Sequence, residues 1–350
     1  MKKIVVKVGS SVIAPSGKLD PKLVANIVSD ITETEKSGCK IILVSSGAIA
    51  CGADKLGLKK RPQDAHSLMA LASLGQIILM DAYQTAFRKH AVLCAQILLT
   101  WDDFDDRKRF LNARATLDKL LNMNVIPIIN ENDAIASDEI KFGDNDKLAA
   151  LVSVLVGAEK TIILSDVEGL LDEKGQAKTI PEKMNADLYK LVKTKKGQFT
   201  SGGMAAKLKA AEIVASTAST LHIACGNVKG IINSIVKGEQ KGTCLLPAVK
   251  IEKARKRWIA LSKKIKGKIW IDDGAKEAIL NKGKSLLCVG ILKTEHEFKK
   301  GDSVEVLDVN GNILGCGLVH YSSHELIDCR GKKFAKEAIH RDNFVMKEHR

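Results

Sequence analysis

Over the first 250 residues, short β-branched runs alternate with longer stretches of helical spacing. Lys3–Val8, Ile41–Val44, Val125–Ile129, Thr161–Leu164 and Leu221–Ala224 are brief and nearly continuously apolar, the pattern of strands buried in a sheet. Between the first two, Asp20 and Pro21 supply an N-cap and a first-turn proline. Val24, Ile27, Val28 and Ile31 then keep helical spacing, and Gly38 closes the segment. Strand, helix and strand in that order predict one right-handed βαβ unit, so the class is α/β.

After about residue 255 the texture changes to short strands and turn signals. Val304–Val309 and Ile313–Val319 flank Asn310-Gly311, a hairpin signature. The pattern predicts an α/β domain over 1–250, a linker over 251–267 and a small β-rich domain over 268–350, joined through the basic stretch Lys250–Lys268 with its Arg255, Lys256 and Arg257. No internal repeat or low-complexity tract interrupts this plan.

The chain has 350 residues, enough for two domains, and its 45% hydrophobic and 27% charged content excludes a disordered, collagenous or coiled-coil protein. The charge is 55 − 41 = +14, and half of the excess lies in 251–350. A basic balance serves nucleic acid, an anionic membrane or anionic small substrates alike, so it does not choose among them. The eight cysteines, at 39, 51, 94, 225, 244, 288, 316 and 329, include no Cys-x-x-Cys pair, as in a cytosolic protein with reduced thiols. The longest apolar run, Leu148 to Ala158, is far short of the roughly 20 residues that span a membrane, so a soluble, cytoplasmic protein without membrane contact is expected.

Ligands of open parallel sheets sit beyond the carboxyl ends of the strands, which directs attention to the loops there. Three are rich in small residues: Lys7-Val8-Gly9-Ser10-Ser11, Ser45-Ser46-Gly47-Ala48 and Ser201-Gly202-Gly203-Met204-Ala205-Ala206-Lys207. Their backbone N–H groups can approach phosphate oxygens, and Lys7 and Lys207 are point charges suited to a phosphoryl group. Any one of these loops is equally well a plain strand-to-helix turn; the three together with their lysines carry the argument. The densest polar cluster, Asn130-Glu131-Asn132-Asp133 with Gly143-Asp144-Asn145-Asp146-Lys147, mixes donors and acceptors able to grip both the ammonium and the carboxylate of an amino acid. An Asx turn and an N-cap at Asp144 or Asn145 would account for only one or two of these residues. Two other signals fail. Gly283-Lys284-Ser285 lacks the upstream glycine of a phosphate loop, since position 278 is Ala278. Cys316, His320 and His324 lie in a segment that reads as strand with no fourth ligand, so no metal-ligating set is assigned.

The set Lys7-Val-Gly-Ser-Ser, Ser45-Ser-Gly-Ala-Ile-Ala, Phe110-Leu-Asn-Ala-Arg, Ile129-Asn-Glu-Asn-Asp133, Gly143-Asp-Asn-Asp146, Ser165-Asp166 and Ser201-Gly-Gly-Met204 resembles the glutamate 5-kinase family. The resemblance implies the amino-acid kinase fold, a three-layer αβα sandwich around a mainly parallel sheet. The tail from about Lys268 to Val345, including His340-Arg-Asp-Asn343, resembles the PUA domain that follows it in that family. It further implies ATP as substrate with Mg²⁺, and transfer to the side-chain carboxylate of L-glutamate, giving L-glutamyl 5-phosphate at the start of proline synthesis. Lys7, Asp146 and Lys207 would be catalytic, the lysines acting on the phosphoryl group and Asp146 holding both. Ser46, Asn130, Asp133, Asp144 and Asn145 would bind glutamate. Lys7, Gly9, Ser165, Asp166, Ser201, Gly202, Gly203, Met204, Ala205, Ala206 and Lys207 would bind ATP.

The family also implies feedback by L-proline, a homo-oligomer (dimer or tetramer) and coupling to glutamate-5-semialdehyde dehydrogenase. Ser165 and Ser201 stand where the family pattern has threonines, and Thr200 where it has glycine; the segment from Asp166 to Ser201 is short for the family. Aspartate, N-acetylglutamate, carbamate and UMP kinases share the lysine and glycine logic and remain competing readings. An RNA-binding role through the basic tail has thin support, because Trp258, Trp270, Phe298 and Tyr321 form no stacking series.

Overall fold

The computed structural model describes residues 2–135, 145–170, 179–180, 203–215, 219–246, 265–328 and 337–346. The chain divides into two compact units, Met1–Lys250 and Ile251–Arg350.

In the first unit β1 (Lys2–Val8), β2 (Cys39–Ser45), β3 (Leu93–Leu99), β4 (Val125–Glu131), β5 (Lys160–Ser165), β6 (Thr179–Ile180), β7 (Thr220–Cys225) and β8 (Thr243–Leu245) form one sheet in the order β3-β4-β2-β1-β5-β7-β8-β6. Every pairing from β3 to β7 is parallel, and β8 runs antiparallel to β7. Each of the five runs expected from the sequence is a strand, extended by one or two residues at one or both ends. Their continuous apolar character follows from position: β1, β2, β4 and β5 lie between other strands and are buried on both faces. β3 escapes that signature because it is an edge strand with Leu93 70% exposed.

The expected crossover helix spans Pro21–Lys36; Asp20 accepts from the Lys22 backbone N–H at its start, a cap worth about 1 kcal/mol. Gly38, at φ +86, makes the turn into β2. Val24, Ile27, Val28 and Ile31 pack from this helix into a core shared with Ile4, Val6, Ile41 and Leu43 of the sheet.

The helix Ala65–Arg88 has no counterpart among the expected elements. It is 24 residues long and, by length and composition alone, apolar enough to cross a membrane. Ser67, Ser73, Gln76 and Asp81 punctuate it, so a search for unbroken apolar runs passes over it. In the fold its inner face is core: Leu79, Tyr83 and Phe87 are fully buried. It crosses the helix Ala48–Lys55 at glycines, where a Cβ on Gly75 would lie 1.8 Å from the Ala48 carbonyl oxygen and one on Gly52 2.0 Å from that of Leu71.

The second unit holds a sheet in the order β10-β9-β11-β12-β13, built from β9 (Ile265–Ile271), β10 (Ile291–Glu295), β11 (Ser303–Leu307), β12 (Ile313–Leu318) and β13 (Phe344–Met346). β9 starts at Ile265, inside the stretch read as a join; residues 250–264 and Cys329 lie outside the described residues. The expected hairpin is β11–β12, antiparallel. At its turn Asp308 accepts from the backbone N–H groups of Asn310 (3.0 Å) and Asn312 (2.9 Å), and Gly311 takes φ +82. Ile269, Ile271, Val304, Val306 and Leu314 form the core of this unit. Cys316 is in β12, whereas His324 lies on a short helix, Ser323–Asp328, rather than a strand. Among the described residues no group of three His, Cys, Asp or Glu side chains could hold a metal.

Candidate active site

The register brings the carboxyl ends of β4, β2, β1 and β5 to one edge of the first sheet: Val8 pairs with Ser45 on one side and Leu164 on the other, and Val44 with Ile129. The loops after β1, β2 and β4 that the sequence singles out leave from this edge. Gly9 follows β1 and donates its N–H to the Leu164 carbonyl at 3.1 Å; a Cβ there would stand 3.2 Å from that oxygen. Gly47 holds φ +117 as the chain turns from β2 into the helix Ala48–Lys55, a conformation that favours glycine.

At the centre is a buried ion cluster. The Asp146 carboxylate, 1% exposed, meets the Lys7 ammonium at 2.6 Å through Oδ1 and that of Lys207 at 3.0 Å through Oδ2. Lys7 comes from the end of β1, Asp146 from the first turn of the helix Asn145–Val156, and Lys207 from the first turn of Met204–Ala215. Burial pushes the Asp146 carboxyl up, and the two ammonium groups outweigh it, holding it below the usual carboxylate range. Asp146 also profits from its place at a helix N-terminus. With each oxygen engaged by a lysine, this carboxylate spaces two cations rather than accepting a proton.

Beside the cluster opens a cleft of ≈ 370 Å³ whose walls include Ser46, Asn130, Asp133 and Asn145, four of the five residues expected to bind an amino acid. Asn145 donates through Nδ2 to Ser46 Oγ (2.9 Å), Asn130 Oδ1 (2.9 Å) and the Ser45 carbonyl (3.3 Å). Burial raises the Asp133 carboxyl to about 6, against the lowering influence of Arg61. Arg61 and Lys59 bring positive charge to the same cleft, and Glu131 accepts from the Trp101 indole N–H at 2.8 Å.

Ser165 ends β5 and Asp166 follows it, and the Ser165 hydroxyl donates to Asp166 Oδ1 at 3.0 Å. Gly203 precedes the helix Met204–Ala215, whose opening turn is tied by Ala206 N–H to the Gly203 carbonyl at 2.9 Å; Met204, Ala205 and Ala206 lie on that turn, ahead of Lys207. Asp144, Ser201 and Gly202, with Gly143 and Thr200, lie outside the described residues. The sequence reading missed Arg61, Gln76 and the role of Gly47. Gln76 sits next to the one glycine inside a long helix, Gly75, and a glycine there is the signal of close packing that would have drawn attention to it.

Residues 2–225 match the amino acid kinase family, and residues 267–340 match the PUA domain. Among curated relatives, a glutamate 5-kinase from Caldanaerobacter subterraneus subsp. tengcongensis is 42% identical, the match covering 99% of this chain and 98% of that protein. A glutamate 5-kinase from Nitrosospira multiformis is also 42% identical, over 99% of this chain and 98% of its own. A carbamate kinase from Giardia, 19% identical, superposes with a TM-score of 0.51 over 70% of this chain and 99% of that one, a likeness of fold alone. Fold, domain order and full-length similarity agree, and the chain belongs to the glutamate 5-kinase branch of the amino acid kinase family.

Proposed function

We propose that this protein transfers the γ-phosphoryl group of ATP to the side-chain carboxylate of L-glutamate, giving ADP and L-glutamyl 5-phosphate, the first step of proline synthesis. The observation that carries the reading is the buried Lys7–Asp146–Lys207 cluster set directly against a cleft walled by Ser46, Asn130, Asp133 and Asn145.

A glutamate side chain is ionised at neutral pH and is already a nucleophile, so the acceptor needs no general base. Catalysis then rests on alignment and on charge: the attacking carboxylate and the phosphoryl group are both anionic, and two fixed ammonium groups offset their repulsion in flight. Asp146 holds those groups in place in advance, so they need not reorganise during transfer. The short turn at Gly9, and Gly203 at the start of the helix carrying Lys207, let backbone N–H groups approach phosphate oxygens, and Ser165, Asp166 and the 201–207 segment form the nucleotide side. Mg²⁺ would enter as the counter-ion of the ATP phosphates; the described residues offer no cluster to hold it independently.

The test is Mg²⁺-ATP turnover by the purified protein with L-glutamate, L-aspartate, N-acetylglutamate and UMP in separate reactions, following ADP release and trapping acyl phosphate with hydroxylamine. ADP and hydroxamate with glutamate alone are expected; turnover of another acceptor with glutamate inert overturns the specificity. Proline shares the α-carboxylate and a nitrogen cation with glutamate, so it competes for the same cleft, and the assay repeated with added L-proline reads that competition directly.

A further inference from the structure

Behind the cleft, four side-chain amides run head to tail. Asn145 Nδ2 donates to Asn130 Oδ1 (2.9 Å), Asn130 Nδ2 to Gln76 Oε1 (2.8 Å) and Gln76 Nε2 to Gln96 Oε1 (3.0 Å). Asn145, Asn130 and Gln76 are buried, at 4%, 3% and 8% exposure, and Gln96 ends the series on edge strand β3. Two backbone groups set its direction. The Glu131 N–H donates to Asn130 Oδ1 at 2.9 Å, and an N–H can only donate, so the oxygen of Asn130 faces that side and its NH₂ faces Gln76. The Ser45 carbonyl can only accept, so the NH₂ of Asn145 faces it.

One atom is left over. Asn145 Oδ1 is fully buried in a residue that lines the cleft, and it has no hydrogen-bond partner among the described residues. A buried acceptor without a donor is costly and calls for one from a ligand. Free glutamate with both carboxylates ionised carries a single kind of donor, its α-ammonium group.

We infer that Gln76 is a positioning residue for substrate recognition: by accepting from the Asn130 NH₂ it holds the Asn130–Asn145 pair in the polarity that the two backbone groups set, so that the Asn145 carbonyl oxygen, not its NH₂, is kept for the α-ammonium of the amino acid. Gln76 touches no substrate itself. Among the described residues it is the partner of the Asn130 NH₂; without it, that NH₂ is buried and unmatched, and rotating Asn130 would present a donor to Asn145 and to the Glu131 N–H alike. The inference rests on the proposed glutamate reading and deepens it.

The test compares glutamate with glutarate, which has both carboxylates but no amine, in the ADP-release assay, using wild type, Gln76→Met and Gln76→Glu. Wild type uses glutamate well and glutarate poorly. Gln76→Met keeps the volume but removes the acceptor: KM for glutamate rises at least about tenfold, KM for ATP is unchanged, and the preference for glutamate over glutarate shrinks by a similar factor. Gln76→Glu keeps an oxygen for the Asn130 NH₂ and restores KM for glutamate to within about threefold of wild type; Gln96, on the edge strand, turns its amide to suit. Equal losses on glutamate and glutarate in Gln76→Met, or a glutamate KM in either variant that ignores this order, overturn the assignment. If Gln76→Met does not fold, the Gln76→Glu comparison decides alone, since a loss there confined to glutamate contradicts the retained acceptor. Wild-type protein inert toward glutamate but active on another acceptor overturns the parent reading instead, and this inference with it.

Discussion

At the level of single residues, Asp146 and Asp133 show how one side-chain type is driven to opposite behaviour by its surroundings. Both are buried carboxyls, but Asp146 has two ammonium groups in contact and Asp133 only the more distant influence of Arg61. Asp146 is therefore held below its usual range; the stability it contributes is present above the ordinary carboxylate range and lost as pH falls through its lowered folded value. Lys7→Ala and Lys207→Ala each remove one cation from the phosphoryl path, and each should lower kcat by about 10²–10³-fold. Either variant leaves Asp146 one ammonium partner fewer, so a stability loss is expected as well, and circular dichroism must accompany the kinetics; near-normal kcat in both folded variants would refute the assignment.

Asp133 runs the other way. Its carboxyl, raised from 3.8 to about 6, binds a proton more tightly in the folded state, so its contribution to stability grows as pH falls through that interval. The ionised form, which attracts an ammonium group, is lost over the same interval. KM for glutamate should thus climb as pH is lowered below about 6 even while the fold gains from the same proton, and Asp133→Asn should flatten that climb at the cost of a uniformly high KM. A wild-type KM that stays level from about pH 7.5 to about 5.5 would contradict this use of Asp133.

At the level of elements, the crossing of Ala48–Lys55 on Ala65–Arg88 decides where the cleft wall stands. Ala48 and Gly47 belong to that wall, and Gly75 lets the long helix come against the Ala48 carbonyl. Gly75→Ala inserts a methyl 1.8 Å from that backbone oxygen, which no side-chain rotation relieves. The helices must separate, at about 1–3 kcal/mol or more, and the expected result is a lower urea midpoint together with a raised KM for glutamate. A variant as stable as wild type would mean that the helices part without cost.

The same pair shows what the chain discloses and what it hides. The strands β1, β2, β4, β5 and β7 were legible because burial on both faces leaves a nearly continuous apolar run, and the helix Pro21–Lys36 because Asp20, Pro21 and Gly38 mark both ends. The edge strand β3 and the helix Ala65–Arg88 were not, because one face of each meets solvent and polar residues break the run. The site follows the same division. Lys7, Asn130, Asp133, Asn145 and Asp146 stand at strand or helix ends, where polar residues are conspicuous. Gln76 and Arg61 reach the cleft from positions that no local pattern marks, since what makes them relevant is contact across 54 residues of chain with Asn130, or proximity in space to Asp133.

At the level of the whole molecule, the two units divide the work unevenly. Every described residue of the ion cluster, the cleft and the amide series behind it lies between Lys7 and Lys207, inside the unit Met1–Lys250, and that unit closes its own eight-stranded sheet and its own cores. The second unit has a separate core, and two of its described aromatic residues are committed to it or to a neighbour: Phe298 is 3% exposed, and the Lys293 ammonium sits 4.0 Å from the Trp270 ring centroid. Neither is a free platform for stacked bases, which weakens the case for single-stranded RNA as the main ligand. A chain ending at Lys250 should therefore fold cooperatively and release ADP with glutamate at a kcat within about tenfold of the full chain, a barrier change under about 1.4 kcal/mol. A shift confined to the response to L-proline would locate a regulatory role in the second unit. Loss of turnover in a truncated chain that still unfolds cooperatively would show instead that residues after Lys250 complete the site, and the catalytic unit would have to be redrawn to include them.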